Sequence, residues 1–177
     1  FMKESKMDEV KKSEKRPVLK LHFTQWEKTL EAVSIFGLLL LLLLTFQSWE
    51  DIPESVPQHF NISGEVDIWG RKELLVFLPI GAVLLYAALS IIRKYPHRFN
   101  YPWKITEANA RAQYQIARHL LAWLKAETIW SFLYLQWMMI QIALGRAEGL
   151  NKAFLPMFLL VIFGTLGVYL VKLVRNK

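Results

Sequence analysis

The chain has 177 residues, 54% of them hydrophobic, and 22 Lys and Arg against 15 Asp and Glu give it a net charge of +7. It contains no cysteine, which excludes disulfides, thiolate metal sites and thiol catalysis. Its hydrophobic residues gather into four runs between charged segments, a layout that argues against a soluble domain and for a small integral membrane protein.

Phe1 precedes Met2 and carries no weight in the reading. The following "KESKMDEVKKSEKR" mixes charges with little apolar content, so residues 1–29 are predicted to begin as a mobile cytoplasmic tail. Residues 18–30, "VLKLHFTQWEKTL", are expected to extend the first span along the interface. The first apolar run covers 32–46, "AVSIFGLLLLLLLTF", extendable to 30–49. Leucine lies on every side from Leu38 to Leu44, without the polar stripe of a soluble bundle helix. The long charged leader, and the lack of a small-residue cleavage site after the run, argue against a cleaved signal peptide. Run two covers 74–92, run three 129–144 and run four 153–171. Runs two and four reach about 28 Å as helices, close to the hydrocarbon thickness of a bilayer.

The predicted architecture is an all-α membrane protein with four transmembrane helices. Residues 30–92 form a two-span module around a loop at 50–72. Residues 93–125 form a loop with an amphipathic helix at 106–125, 126–171 a two-span hairpin, and 172–177 a tail. Eight Lys and Arg precede run one, seven lie in 93–125 and three follow residue 171. Only Arg71, Lys72, Arg146 and Lys152 lie in the other connections. Positive charge stays cytoplasmic. Both termini and 93–125 are therefore predicted to face the cytoplasm, and 50–72 and "GRAEGLNK" the outside of the cytoplasmic membrane. The net charge then reports topology and contact with anionic lipid, with no nucleic-acid partner.

The outward loop contains "IPESVPQHFNISGEVDIWGRK". Polar His59, Asn61, Glu65 and Asp67 alternate with apolar Phe60, Ile62, Val66 and Ile68, a strand pattern around a turn. A two-residue Ser63-Gly64 turn would mix the faces. A three-residue turn with Gly64 left-handed pairs Asn61 with Glu65, Phe60 with Val66 and His59 with Asp67, giving one polar and one apolar face. His59, Asn61, Glu65 and Asp67 are thus candidate ligands for a divalent metal, Zn or Ca among them, and His59 with Asp67 could act as an oriented base. The plainer alternative is the solvated face of a lid whose apolar side rests on the helices. "NIS" also matches a glycosylation sequon. Pro53 and Pro57 fit an extended approach. Trp69 suits headgroup depth, with Arg71 and Lys72 able to snorkel.

The string IPxxVPxHFNxxGExDxWGxK, with Pro57, His59, Phe60, Asn61, Gly64, Glu65, Asp67, Trp69, Gly70 and Lys72, resembles the bacterial membrane family called domain of unknown function 1648. The resemblance covers about the first half of the chain. That module also forms the N-terminal part of Sdp-type toxin immunity and signalling proteins, which carry further spans after it. The stretch "NYPWKITEANARAQYQIARHLLAWLK" is similar to tails found after the module. The resemblance implies a bacterial cytoplasmic-membrane protein concerned with peptide-toxin resistance or envelope sensing.

In the inner loop, Thr106 is the predicted N-cap with Glu107 in the first turn. Ala110, Tyr114, Ala117, Leu121 and Leu124 share one face, and Arg111, Gln115, Arg118, Ala122 and Lys125 another. Arg111, Arg118 and Lys125 are therefore candidate contacts for the inner leaflet or a cytoplasmic partner. Tyr95, Tyr101 and Trp103 suit an aromatic belt. Within the spans, Gln136 and Gln141 are candidate interhelical glue, Pro79 and Pro156 candidate kinks, and Glu31 and Glu127 end groups within reach of water. The sequence supports an interaction protein, toxin immunity or envelope sensing, binding a peptide toxin or other envelope ligand, as homo-oligomer or with a cytoplasmic partner. A metal-dependent hydrolase at the membrane surface and a small transporter subunit are the alternatives, and no catalytic residue is assigned.

Overall fold

The computed structural model describes residues 16–177. The expectation of a mobile tail over residues 3–16 falls almost wholly outside them. The elements run α1 (Gln25–Ser48), β1 (Ser55–Phe60), β2 (Val66–Arg71), a 3-10 segment (Lys72–Val76), α2 (Phe77–Ile92), a short 3-10 turn (Pro96–Arg98), α3 (Ala110–Ala143) and α4 (Phe154–Arg175). Three helical stretches are long and apolar enough to cross a membrane: Gln25–Ser48, Lys72–Ile92 and Phe154–Arg175. The protein is thus mostly helical and multi-pass, with one small two-stranded sheet among the described residues.

The fourth expected span is not among those three. Residues 129–144 instead fall almost entirely in the second half of α3, a 34-residue helix that runs without a break through the expected 125/126 boundary. α3 is the central helix, packed by α1, α2, α4 and β1. A helix enclosed by protein can carry Gln, Tyr and Trp that a lipid-facing one would not.

α1 explains the absence of a polar stripe. Its buried residues are Glu27, Leu30, Ser34, Gly37, Leu41 and Thr45, three or four apart, so its polar and small residues face inward. Its exposed face carries Phe36, Leu39, Leu43 and Phe46. This inverts the soluble amphipathic helix, as expected where the outer solvent is lipid. Gly37 permits the close approach of α3, since a Cβ there would lie 3.0 Å from Trp130 Nε1. The Ser34 and Thr45 hydroxyls donate to carbonyls one turn back, at 2.7 and 2.8 Å, which satisfies them without water.

Residues 18–24 do not extend this helix as expected. Thr24 ends a non-helical segment and caps α1. Its hydroxyl accepts from the Glu27 N–H at 3.2 Å, and the Glu27 carboxylate accepts from the Thr24 N–H at 2.8 Å. The segment before it lies across α3. Leu19 and Leu21 pack on a core of Tyr101, Ile105, Ala110, Tyr114 and Ala117, joined by Phe99, Trp103 and Leu173. Tyr101 and Trp103 therefore belong to packed structure, while Tyr95 stays exposed. Burial pushes the Tyr101 hydroxyl well above the usual phenol range and raises that of Tyr114. α3 begins four residues after the expected cap, because Thr106 and Asn109 first form a turn that bonds Thr106 N–H to Asn109 Oδ1 at 2.8 Å. Pro79 and Pro156 sit at the third residue of α2 and α4; Pro156 falls in a first turn, where the lacking N–H has no helical partner to lose, and Pro79 falls where the 3-10 segment passes into α2.

Candidate functional site

The loop between α1 and α2 folds as the anticipated antiparallel hairpin. Gly64 has φ +82°, and the turn closes with Asn61 N–H to Glu65 O at 2.9 Å and Gly64 N–H to Asn61 O at 2.9 Å. The three-residue turn is therefore present. Phe60 pairs with Val66, Pro57 with Trp69, Val56 with Gly70 and Ser55 with Arg71, all in the expected register. The departure lies between them. His59 pairs in the backbone with Ile68 instead of Asp67, so the ladder is irregular there. The side chains meet nonetheless, with His59 Nδ1 2.7 Å from Asp67 Oδ1.

The four polar residues form two pairs. Asn61 Nδ2 donates to Glu65 Oε2 at 2.9 Å, while Asn61 Oδ1 accepts from the N–H groups of Ser63 and Glu65 at 2.9 and 3.0 Å. Asn61 is thereby spent on holding the turn. Among the described residues no group of three His, Cys, Asp or Glu is placed to hold a metal ion. The His59–Asp67 pair is exposed, so water screens it, and its carboxylate fixes which imidazole nitrogen is turned outward.

The remaining motif residues anchor the hairpin. Pro57 and Val56 are buried. Val56 joins Ile52, Leu75 and Ile140 in a core at this end of the helices. A Cβ on Gly70 would lie 2.4 Å from Gln58 Cγ, so any larger residue there would force the Gln58 side chain to shift. Lys72 Nζ donates to the carbonyls of Trp49 and Ile52, both at 3.2 Å, and lies 5.2 Å from the Trp49 ring centroid. It thus neutralises the carbonyl end of α1. Phe60 is half-buried, whereas Ile62, Ile68 and Trp69 are exposed, so the apolar side is not fully covered.

Sequence reading missed where the tip docks. The Leu150 N–H donates to Gly64 O at 2.8 Å, and Glu65 bridges Gly149. The two loops at this end therefore form one platform. Beneath it opens a cleft of about 480 Å³, roofed by Gln58, His59 and Asn61 and floored by Leu74, Phe77, Leu135 and Met139 among others.

The opposite end corrects the reading of the basic stripe. Arg111 is exposed as expected, but Arg118 and Lys125 are buried. Arg118 Nε donates to Glu27 Oε1 at 2.8 Å, and Lys125 Nζ to Glu31 Oε2 at 2.8 Å and Ser90 Oγ at 2.9 Å. Arg93 and Tyr86 also bind Glu31. Phe23 lies within cation–π reach of both Arg93 and Arg118. Two carboxylates one turn apart on α1 thus draw these cations inward, away from any leaflet. His119 Nε2 is 2.8 Å from Thr24 Oγ1. Burial lowers the pKa of His119, against the opposing pull of Glu27.

Of the two glutamines in the second half of α3, Gln136 is buried and donates to Thr45 Oγ1 at 3.0 Å, joining α3 to α1. Gln141 is half-buried. Neither lines any of the four described clefts, so the transporter alternative gains no polar path from them.

Helices with apolar exteriors and a hairpin docked on a second loop define a multi-pass membrane protein. Residues 36–83, from mid-α1 through the hairpin into α2, match the family described as Domain of unknown function (DUF1648), and the chain carries that domain. A protein of Archaeoglobus fulgidus, described as an uncharacterized protein, is 30% identical over 87 residues, 45% of this chain and 48% of that protein. The chain spans about half the length of the relative it matches. No solved structure matches it.

Proposed function

We propose that the protein is a non-enzymatic receptor of the cytoplasmic membrane, with four spans and both termini inside, whose outer platform binds an amphipathic peptide in toxin immunity or envelope sensing. The observation that carries this reading is the platform itself. Exposed Ile62, Ile68 and Trp69 lie beside the polar His59–Asp67 pair, over a cleft with a polar roof and an apolar floor. A ligand with one polar and one apolar side satisfies both at the depth where a bilayer changes polarity.

Loop docking supports the fourth span. If α2 crosses, residues 93–109 lie across the membrane from the hairpin. Leu150 touches Gly64 at the hairpin, so α3 must return between them. By sequence, 18 of the 22 Lys and Arg fall before residue 30, within 93–125 or after 171, which supports placing those segments in the cytoplasm.

The test is sensitivity of cells to membrane-active peptides. A deletion strain is expected to be more sensitive to at least one peptide of a broad panel. The chain should restore resistance, and Trp69→Ala with Ile68→Ser should restore less at equal membrane abundance. Equal sensitivity of deletion and parent strains across the panel would end the reading.

A further inference from the structure

Glu127, expected at a cytoplasmic helix end within reach of water, lies two residues beyond Lys125 on α3 and is partly buried. It lies on α3 about 24 Å of helix from Ala143, so on the four-span reading it sits toward the inner edge of a hydrocarbon layer roughly 30 Å thick. Its Oε1 accepts from the Thr165 hydroxyl at 2.5 Å, and Thr165 stands at the middle of α4. Its Oε2 is buried and has no hydrogen-bond partner. Among the described residues no Lys, Arg or His is paired with it. The neighbouring Lys125 is turned to Glu31 on α1 instead. From α4, Tyr169 and Thr165 face this carboxyl, and Lys172 lies farther along, over the Tyr169 ring. Tyr134 lines the same cleft from α3 itself.

The carboxyl closes one end of a cleft of about 370 Å³ between α3 and α4. Ser131 and Tyr134 form the α3 wall, and Phe154, Met157, Phe158 and Val161 the α4 wall. The Tyr134 and Phe154 rings stack at 4.8 Å, and Phe154 and Phe158 at 6.1 Å. A single acid without a counter-charge, at the end of an apolar and aromatic slot, is built for one chemistry. The ligand must be apolar enough to enter from lipid and carry a positive charge to meet the carboxylate.

We propose that this cleft binds a lipophilic monocation, an amine or quaternary onium, and that Glu127 is its counter-ion. Cation and proton compete for the same carboxyl: when the cation binds, a proton held there leaves to solvent, and when it departs the proton returns. The site faces the lipid between α3 and α4 and does not depend on the peptide platform.

The probe is tritiated tetraphenylphosphonium, measured by equilibrium binding to the purified full chain in lipid nanodiscs. Binding should be saturable and tighten as pH rises, while neutral triphenylphosphine oxide should not compete. Glu127→Gln should weaken it at least about tenfold by removing the charge. Met157→Trp, which narrows the slot from a lipid-facing position without touching the carboxyl, should also weaken it. No saturable binding to the wild type, or equal affinity in wild type and Glu127→Gln of matching elution profile, overturns the proposal.

Discussion

At residue scale the hairpin turns on Gly64. Its φ of +82° disfavours any side chain, and a Cβ would also meet Leu150 O at 2.4 Å. Gly145 has a similar φ of +70°, but a Cβ there meets nothing within 4 Å. The two glycines separate backbone strain from docking. Gly145→Ala should cost only the left-handed penalty, about 1–2 kcal/mol. Gly64→Ala should cost that and the Leu150 hydrogen bond, about 0.5–1.5 kcal/mol more. Thermal unfolding in one detergent should rank the variants in that order, and equal melting points would remove the docking contribution. The sign of Gly64 was legible, because a three-residue turn that keeps polar residues on one face needs a left-handed residue there. Its partner was not, since no local pattern says that a second loop, at Gly149 and Leu150, will pair with the tip. Arg118 and Lys125 were misplaced for the same reason. Their spacing on α3 describes a stripe, and only the position of Glu27 and Glu31 on another helix turns that stripe inward.

At element scale, α1 was legible as an apolar helix and α3 as an amphipathic helix followed by an apolar one, but not in their ends. The T-x-x-E spacing of Thr24 and Glu27 was available as a capping box and marks the start of α1. The apparent break near residue 126 in α3 came from a change in composition. Charged residues before it and apolar ones after it looked like two elements, yet pairing of Arg118 and Lys125 lets one helix continue through. The junction of the N-terminal segment, α1 and α3 is where pH should act. His119 has a pKa below its usual 6.5, set first by desolvation. Its neutral form is therefore favoured in the folded state, and the unfolded chain binds the proton more readily. That contribution is complete above about pH 6.5 and is lost as pH falls through the folded value. The melting temperature should fall between pH 7.5 and pH 5, and His119→Gln should show a smaller fall. Identical slopes in the two proteins would assign the effect to other groups.

At the scale of the molecule, the hairpin and the 145–153 loop are tied to each other, and the ion network ties the opposite ends of α1, α2 and α3. The lipid-facing sides of α1, α2 and α4 lie between these ties, so the fold has two polar ends and an apolar waist. Sidedness follows from this pairing without reference to charge. Because Leu150 N–H bonds Gly64 O, the two loops must share one face of the membrane whichever way the chain inserts. The chain has no native cysteine, so a single substitution gives a single labelling site. Ser63→Cys and Glu148→Cys are both exposed positions at the docked end, and Lys104→Cys and Lys177→Cys lie at the other. A membrane-impermeant maleimide added to intact cells should label the first pair together and reach the second only after permeabilisation. Labelling of the second pair alone would keep the four-span fold and reverse its direction, contradicting the charge rule. If Ser63→Cys and Glu148→Cys labelled from opposite faces, α3 would not cross, and the docked platform with its cleft could not exist in the membrane.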